Sequence, residues 1–215
     1  AKEIKELVEN ATVTDVSCFG FNDGLASTNV EGGVTPYSYL WGNGEVTNII
    51  DSLLIGNYSV VVTDSNNCTA QSNYIINQPD SLTLSLVAND VSCFGLNNGN
   101  IDLVITGGIQ NYTVDVPPYS QVLSAGATNY YSQSVLSPGT YNYLVTDDNG
   151  CVVTDIITIN EPFLLSVNSV LTNVSCNGES SGTIILNTTG GTAPYIEDFG
   201  GNNPIQLANG NYTYT

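Results

Sequence analysis

From Gly56 to Thr63 the chain alternates: Tyr58, Val60 and Val62 fall on one side, and Ser59, Val61 and Thr63 on the other. A period of two with an aromatic and aliphatic face predicts a half-buried β-strand. The same pattern returns at Tyr141, Tyr143 and Val145. Turn signals interrupt the chain at short intervals, at Gly32-Gly33, Asn43-Gly44, Ser137-Pro138-Gly139, Asn149-Gly150 and Gly190-Gly191. One stretch, "AKEIKELVEN", is helix-like, with Ile4, Leu7 and Val8 on an apolar face; it also matches the position of "INEPFLLSVN" relative to the next cysteine phrase, as the tail of a preceding unit would. Many short strands with Gly, Asn and Pro turns predict an all-β fold of small antiparallel sandwiches. Gly56-x-Tyr58 and Gly139-x-Tyr141 open the best strand as a tyrosine corner does, which points to the immunoglobulin-like class.

The pattern is periodic on a larger scale. "TDVSCFGFNDG" from Thr14 returns as "NDVSCFGLNNG" from Asn89 and "TNVSCNGESSG" from Thr172, so Cys18, Cys93 and Cys176 are spaced by 75 and 83 residues. "GNYSVVVTDSNNC" (Gly56 to Cys68) returns as "GTYNYLVTDDNGC" (Gly139 to Cys151) and begins again as "GNYTYT" (Gly210 to Thr215). A domain-sized period predicts tandem modules. Residues 1–12 read as the tail of a preceding repeat or a linker, 13–80 as repeat one, 81–162 as repeat two and 163–215 as a truncated repeat three. The joints after Pro79 and Pro162 carry alternating apolar residues rather than Gly/Ser filler. They should enter the next sandwich as its first strand, giving a semi-rigid array.

Modules this small bury only about 60% of the surface their unfolded chains expose, and need a staple. Five cysteines at matching places in the repeats supply one: the expected pairs are Cys18 with Cys68 and Cys93 with Cys151, leaving Cys176 unpaired in this stretch. A loop of about 50 residues closed this way adds roughly 4 kcal/mol in the chain-entropy account. Free buried thiols are the competing reading, and zinc is disfavoured by the lack of histidine and of C-x-x-C. Such disulfides imply an oxidising, extracytoplasmic compartment.

Charge narrows the partners. A net charge of −18 with Lys2 and Lys5 as the only basic side chains rules out a basic patch, and with it electrostatic binding to nucleic acid or anionic lipid. The lack of lysine within the repeats also removes Lys–Asn isopeptide cross-links there. No run approaches the roughly 20 apolar residues of a membrane span, and no signal peptide opens the sequence, so direct membrane insertion is not expected and export signals should lie elsewhere.

"VSCFGFNDG…GGVTPYSYLW…GNYSVVVTDSNNC…IINQP" and "VSCFGLNNG…GTYNYLVTDDNGC…TINEP" resemble the SprB repeat, the module arrayed in large cell-surface adhesins of gliding Bacteroidota. The resemblance runs from about Val13 to Thr215. Asn67 departs from it, standing where repeat two has Gly150, and Trp41 has no counterpart in the other repeats. The resemblance implies type IX secretion, display on the outer surface, and gliding or secretion machinery at the outer membrane as partner. Substratum or polysaccharide would be gripped through other parts of the full protein.

Three sets of residues are candidate sites. "TDSNN" and "TDDNG" concentrate oxygen ligands, with Asp64, Asp147 and Asp148 as candidate calcium ligands, although D-x-N-G equally suits a tight turn. Tyr37, Tyr39 and Trp41 share one strand face and would be either a sugar-stacking platform or core, core being favoured. Asp51-Ser52-Leu53 and Asp80-Ser81-Leu82 resemble the O-glycosylation pattern of the same phylum, with Ser52 and Ser81 as acceptors. Catalysis finds no constellation: there is no histidine, no G-x-S-x-G and no P-loop, and Glu31, Glu45, Asp102, Asp115, Glu197 and Asp198 do not recur in register. The expected function is a non-enzymatic stalk segment of an adhesin filament. The alternative is a carbohydrate-binding array, calcium-dependent if the acidic turns hold an ion.

Overall fold

The computed structural model describes residues 6–116, 119–123 and 130–199. Ile4, Lys2, Lys5 and the phrase from Gly210 to Thr215 lie outside them. Every regular element among the described residues is a β-strand.

Repeat one contributes β1 (Val8–Thr14), β2 (Gly24–Glu31), β3 (Ser38–Trp41), β4 (Ile49–Leu53), β5 (Gly56–Thr63) and β6 (Thr69–Ile76). They form two three-stranded antiparallel sheets, β1-β2-β4 and β3-β5-β6. The division is that of an immunoglobulin-like sandwich, in which the first, second and fifth strands oppose the third, sixth and seventh. The core joins both sheets: Ala26, Ile50 and Leu53 from one meet Trp41, Val60, Val62 and Ile76 from the other, with Val16 below them. Alternation along β5 is as expected, Val60 and Val62 being fully buried. Trp41 and the half-buried Tyr37 and Tyr39 belong to this core, so the aromatic face is packing. The Trp41 indole N–H donates to the Thr47 carbonyl at 2.8 Å, as a buried indole requires.

The first strand starts earlier than the repeat boundary suggests. The helix-like stretch is extended from Val8, and β1 pairs with β2 along its whole length, from Val8↔Glu31 to Thr14↔Leu25. Residues 8–12, assigned on sequence to the tail of a preceding repeat or a linker, belong to β1, the edge strand of the first sandwich. The expectation for the two later joints holds: β7 (Thr83–Asn89) follows Pro79 and β14 (Ser166–Thr172) follows Pro162.

In repeat two, β7 is followed by β8 (Gly99–Thr106), β9 (Tyr112–Val116), β10 (Tyr119–Leu123), β11 (Tyr130–Leu136), β12 (Gly139–Thr146) and β13 (Val152–Ile159). The sheets are β11-β8-β7 and β10-β9-β12-β13, the same division with one more strand. In repeat three, β14 pairs with β15 (Thr183–Thr189) from Ser166↔Thr189 to Thr172↔Thr183. By compactness the chain separates into two units whose limits pass through the strands of repeat two. One comprises Ala1–Ser85, Val104–Tyr130 and Asn142–Asp155; the other comprises Leu86–Leu103, Tyr131–Tyr141 and Ile156–Thr215. The first buries Ile105, Tyr112, Val114, Tyr143 and Val145 beside the repeat-one core, and the second buries Val91, Ile101, Leu103, Leu136 and Ile159.

Two tyrosine locks recur. The Tyr58 hydroxyl donates to the Leu54 carbonyl at 3.0 Å and that of Tyr141 to Ser137 at 2.8 Å, which is the tyrosine-corner bond. A second lock was not anticipated: in G-G-x-x-x-Y the tyrosine hydroxyl donates to the carbonyl of the first glycine, Tyr37 to Gly32, Tyr112 to Gly107 and Tyr195 to Gly190. It fixes a turn in which both glycines have positive φ. At Gly107, φ is +73°, and a Cβ would lie 2.0 Å from the Ser81 carbonyl oxygen; at Gly190 the distance to the Leu164 oxygen is 2.1 Å.

Gly107→Ala should therefore destabilise repeat two by clearly more than the roughly 1 kcal/mol that a positive φ alone costs a non-glycine residue. Gly44→Ala, with φ +92° and nothing within 4 Å, supplies the backbone-only control. Urea denaturation of the two variants measures the difference, and equal midpoints would contradict the close approach.

Candidate functional site

The acidic turn between β5 and β6 is built around one carboxylate. Asp64 Oδ1 accepts the N–H groups of Asn66 at 2.8 Å and Cys68 at 2.9 Å, and its Oδ2 accepts that of Val34 at 2.9 Å. Asp147 repeats this between β12 and β13, accepting from Asn149 at 3.0 Å, Cys151 at 2.8 Å and Ile109 at 2.8 Å. The position before each cysteine is left-handed, Asn67 at φ 63° and Gly150 at φ 83°, so asparagine replaces glycine there without changing the turn. Both aspartates are buried and turned inward onto backbone, whereas Asp148 is exposed. Among the described residues no three His, Cys, Asp or Glu side chains are grouped as a metal site. What the carboxylates do here is hold a turn. The Asp64 carboxyl lies below its ordinary pKa, chiefly through the Cys68 N–H bond, opposed by burial and assisted by the Val34 and Asn66 N–H groups.

The first-cysteine loop sits at the other end of the same sandwich. Val16 N–H donates to the Asn77 carbonyl at 2.9 Å and Gly20 N–H to Gln78 Oε1 at 3.0 Å, both just past the end of β6. Asp15 accepts from Asn77 N–H at 2.8 Å, and Asp23 accepts from Ser17 N–H at 3.0 Å. Repeat two copies each bond: Val91 to Asn160, Gly95 to Glu161, Asn160 to Asp90, and Ser92 to Asn98. Cys68, by contrast, stands directly before β6, whose eight residues extend about 26 Å at ~3.3 Å each. A disulfide reaches only about 7 Å between Cα atoms.

The expected pairs, Cys18 with Cys68 and Cys93 with Cys151, are accordingly not the ones formed. Cys18 is bonded to Cys151, with a Cα–Cα distance of 5.7 Å and a sequence separation of 133, so the bond crosses from repeat one to repeat two instead of stapling either. Cys68, Cys93 and Cys176 are free and exposed. A loop of this length is worth about 5 kcal/mol in the chain-entropy account.

Around the bond the chain makes the joint. Gly108 N–H donates to the Asp80 carbonyl at 2.8 Å, and the Gly107 turn lies on Ser81, bringing the glycine pair and Asp147 onto the segment that leaves repeat one. The Asn149 side-chain amide donates to the Ser17 carbonyl at 2.9 Å, beside Cys18. The same seating recurs at the next joint, where Gly191 N–H donates to Phe163 at 2.7 Å. The sequence identified the right residue types at this site but assigned them separate roles. Ser52 and Ser81 are both exposed; Ser52 has φ 56° and its hydroxyl donates to Asp51 at 3.0 Å.

Two outcomes test this geometry. Pulled by its ends, the chain should gain about 450 Å of contour length on reduction, the reach of 133 residues at ~3.4 Å each, and a smaller gain matching two short loops would contradict the cross-repeat bond. Asp64→Asn should lower Tm most near neutral pH. Because the folded-state pKa is lowered, the carboxylate's contribution is complete above its unfolded value of about 3.9 and is lost as pH falls through the folded value, so the two melting curves should converge toward pH 2.

The SprB repeat model matches residues 10–46, 85–113 and 168–195. Among solved structures, fibronectin(III)-like modules of Clostridium thermocellum CbhA share 15% identity over 71% of this chain and 94% of theirs, with a TM-score of 0.35. Dpr11 IG1 bound to DIP-gamma IG+IG2 gives 11% identity over 73% and 99%, with a TM-score of 0.34. A tetra-tandem repeat in the extending region of a large adhesion protein gives 15% over 86% and 63%, with a TM-score of 0.28. No curated protein matches. The three regions matched by the SprB repeat model fall one to each repeat and include the cysteine phrase of each.

Proposed function

We propose that this chain is a stalk segment of a large secreted adhesin filament on the bacterial cell surface, where it spaces a binding tip from the outer membrane and carries load during attachment and gliding motility. The observation that carries the reading is the match of the SprB repeat model to one stretch of each of the three repeats. Support comes from the joint, where Cys18–Cys151 ties successive repeats covalently and the chain passes from Ile76 to Thr83 without a flexible linker. A spacer under tension needs strength at its joints more than it needs a pocket. Trp41 is spent on the core, which leaves the gripping of substratum or polysaccharide to other parts of the full protein. Type IX export, gliding machinery as the partner at the outer membrane, and glycans on Ser52 and Ser81 belong to the same proposal. In this proposal Asp64 and Asp147 serve the turn, their oxygens accepting backbone N–H groups.

Live imaging with fluorescent antibody fragments against these repeats is the direct test. Signal travelling along the cell is the expected result, and stationary or shed signal would replace the gliding stalk with a static one. On a glycan array the chain should bind no polysaccharide, with or without Ca²⁺; specific binding would favour the carbohydrate-binding alternative.

A further inference from the structure

We infer that Cys18–Cys151 is one rung of a continuous disulfide ladder, in which the first cysteine of each repeat bonds the second cysteine of the repeat that follows. Cys93 then pairs with the second cysteine of repeat three; a further repeat following it would supply the partner of Cys176, and one preceding repeat one would supply that of Cys68. The inference stands on the geometry of the joint and does not depend on the adhesin reading.

Equivalence of the positions carries it. Cys93 is held as Cys18 is, with Val91 bonded to Asn160 and Gly95 to Glu161 where repeat one has Val16 with Asn77 and Gly20 with Gln78. Cys68 is held as Cys151 is, its N–H on the carboxylate of Asp64 as that of Cys151 is on Asp147. The partners of Cys93 within reach of the chain's own pattern are also restricted. Cys151 stands before the eight-residue β13, at whose far end Asn160 meets the Cys93 loop, so the same ~26 Å that separates Cys18 from Cys68 separates these two.

A second observation shows what Cys93 faces. It lines a cavity of about 610 Å³ whose remaining wall is the start of repeat three, including Phe163, Leu164, Leu165, Tyr195 and Ile196. This is the end of repeat three at which Gly191 seats on Phe163, as Gly108 seats on Asp80 beside Cys151. In the ladder this is where the second cysteine of repeat three would meet Cys93. Tyr58 and Tyr141 each stand ten residues before their second cysteine, and Tyr212 holds the same place in the phrase of repeat three. Asn149, which reaches the Ser17 carbonyl beside Cys18, corresponds to Asn66 in repeat one, so the free end of repeat one carries both groups of the joint.

Each rung forms by thiol–disulfide exchange. Two protein thiols lose two protons and two electrons to a disulfide-bearing oxidant, which is reduced to two thiols, as in an oxidising compartment.

Two experiments test the ladder. In the secreted full-length protein, free thiols are alkylated and the chain is digested with pepsin at low pH, where exchange is slow. Linked peptides joining Cys18 to Cys151 and Cys93 to the second cysteine of repeat three are expected. A Cys18–Cys68 or Cys93–Cys151 link, or Cys93 recovered as an alkylated thiol, overturns the ladder. In the 215-residue chain, alkylation without reduction should add three labels, at Cys68, Cys93 and Cys176, and Cys18→Ser should raise this to four by releasing Cys151. One label in the native chain, or two in the variant, is the signature of bonds within repeats and overturns the proposal even where the variant's fold is weakened.

Discussion

A disulfide spans about 7 Å between Cα atoms, and an eight-residue strand spans more than three times that. In each complete repeat such a strand separates the two cysteines, since β6 runs from Cys68 to the Asn77 end where Cys18 is held, and β13 runs from Cys151 to the Asn160 end where Cys93 is held. The distance forbids a bond inside a repeat. It also places Cys151 at the end of repeat two where the chain arrives from repeat one, within reach of Cys18. The joint, rather than either sandwich, is therefore what this disulfide stabilises.

The remaining polar chemistry serves the same end. Asp64 and Asp147 each gather three backbone N–H groups, tying the cysteine turn to the glycine-pair turn that seats on the incoming chain. The two glycines allow backbone to approach backbone where no side chain fits, and the tyrosine hydroxyl closes that turn from behind. With so few charged residues, buried carboxylates satisfied by backbone N–H groups provide a fixed polar anchor that needs no counter-ion. Phe19, Phe21 and Phe94, exposed in the first-cysteine loops, add apolar surface at the ends of the repeats to that left along their strands by Leu40, Ile75, Val87 and Ile156.

The strands, the turns, the tyrosine corner and the strand-forming joints were legible because each rests on local alternation or on a residue type that a backbone geometry demands. The core role of Trp41 was legible for the same reason. The disulfide was not. Matching cysteines in a repeat look like two ends of one staple unless strand directions are counted: β1 runs toward the Cys18 end, β5 runs away from it, and Cys68 follows β5. That count depends on which strands pair across the sandwich, which is information between elements and not within any of them. The G-G-x-x-x-Y lock was visible as a thrice-repeated spacing, but its hydrogen bond becomes apparent only once the glycines are known to present a carbonyl. The acidic turns were ambiguous for a different reason, because the same oxygen-rich pattern serves a cation or a set of N–H groups, and only the direction of those groups decides between them.

A bond across a joint changes which residues feel tension. Load applied at the ends enters through β1, crosses the sulfur–sulfur bond at Cys18 and leaves at Cys151, so the chain between the two cysteines is bypassed while the bond holds. Strands β2 to β12 and the whole first joint lie inside that loop. Two staples placed within repeats would have protected the strands between their own cysteines and left residues 68–93, with β6, β7 and the joint, as the load-bearing path. The cross-repeat bond protects that segment instead, where a non-covalent contact between small modules is weakest. Outside the loop the path runs through β13, which begins at Val152 immediately after the bond and is hydrogen-bonded to β12. Resistance to extension beyond the joint then rests on shearing that edge strand, with its ladder bonds loaded together rather than one at a time.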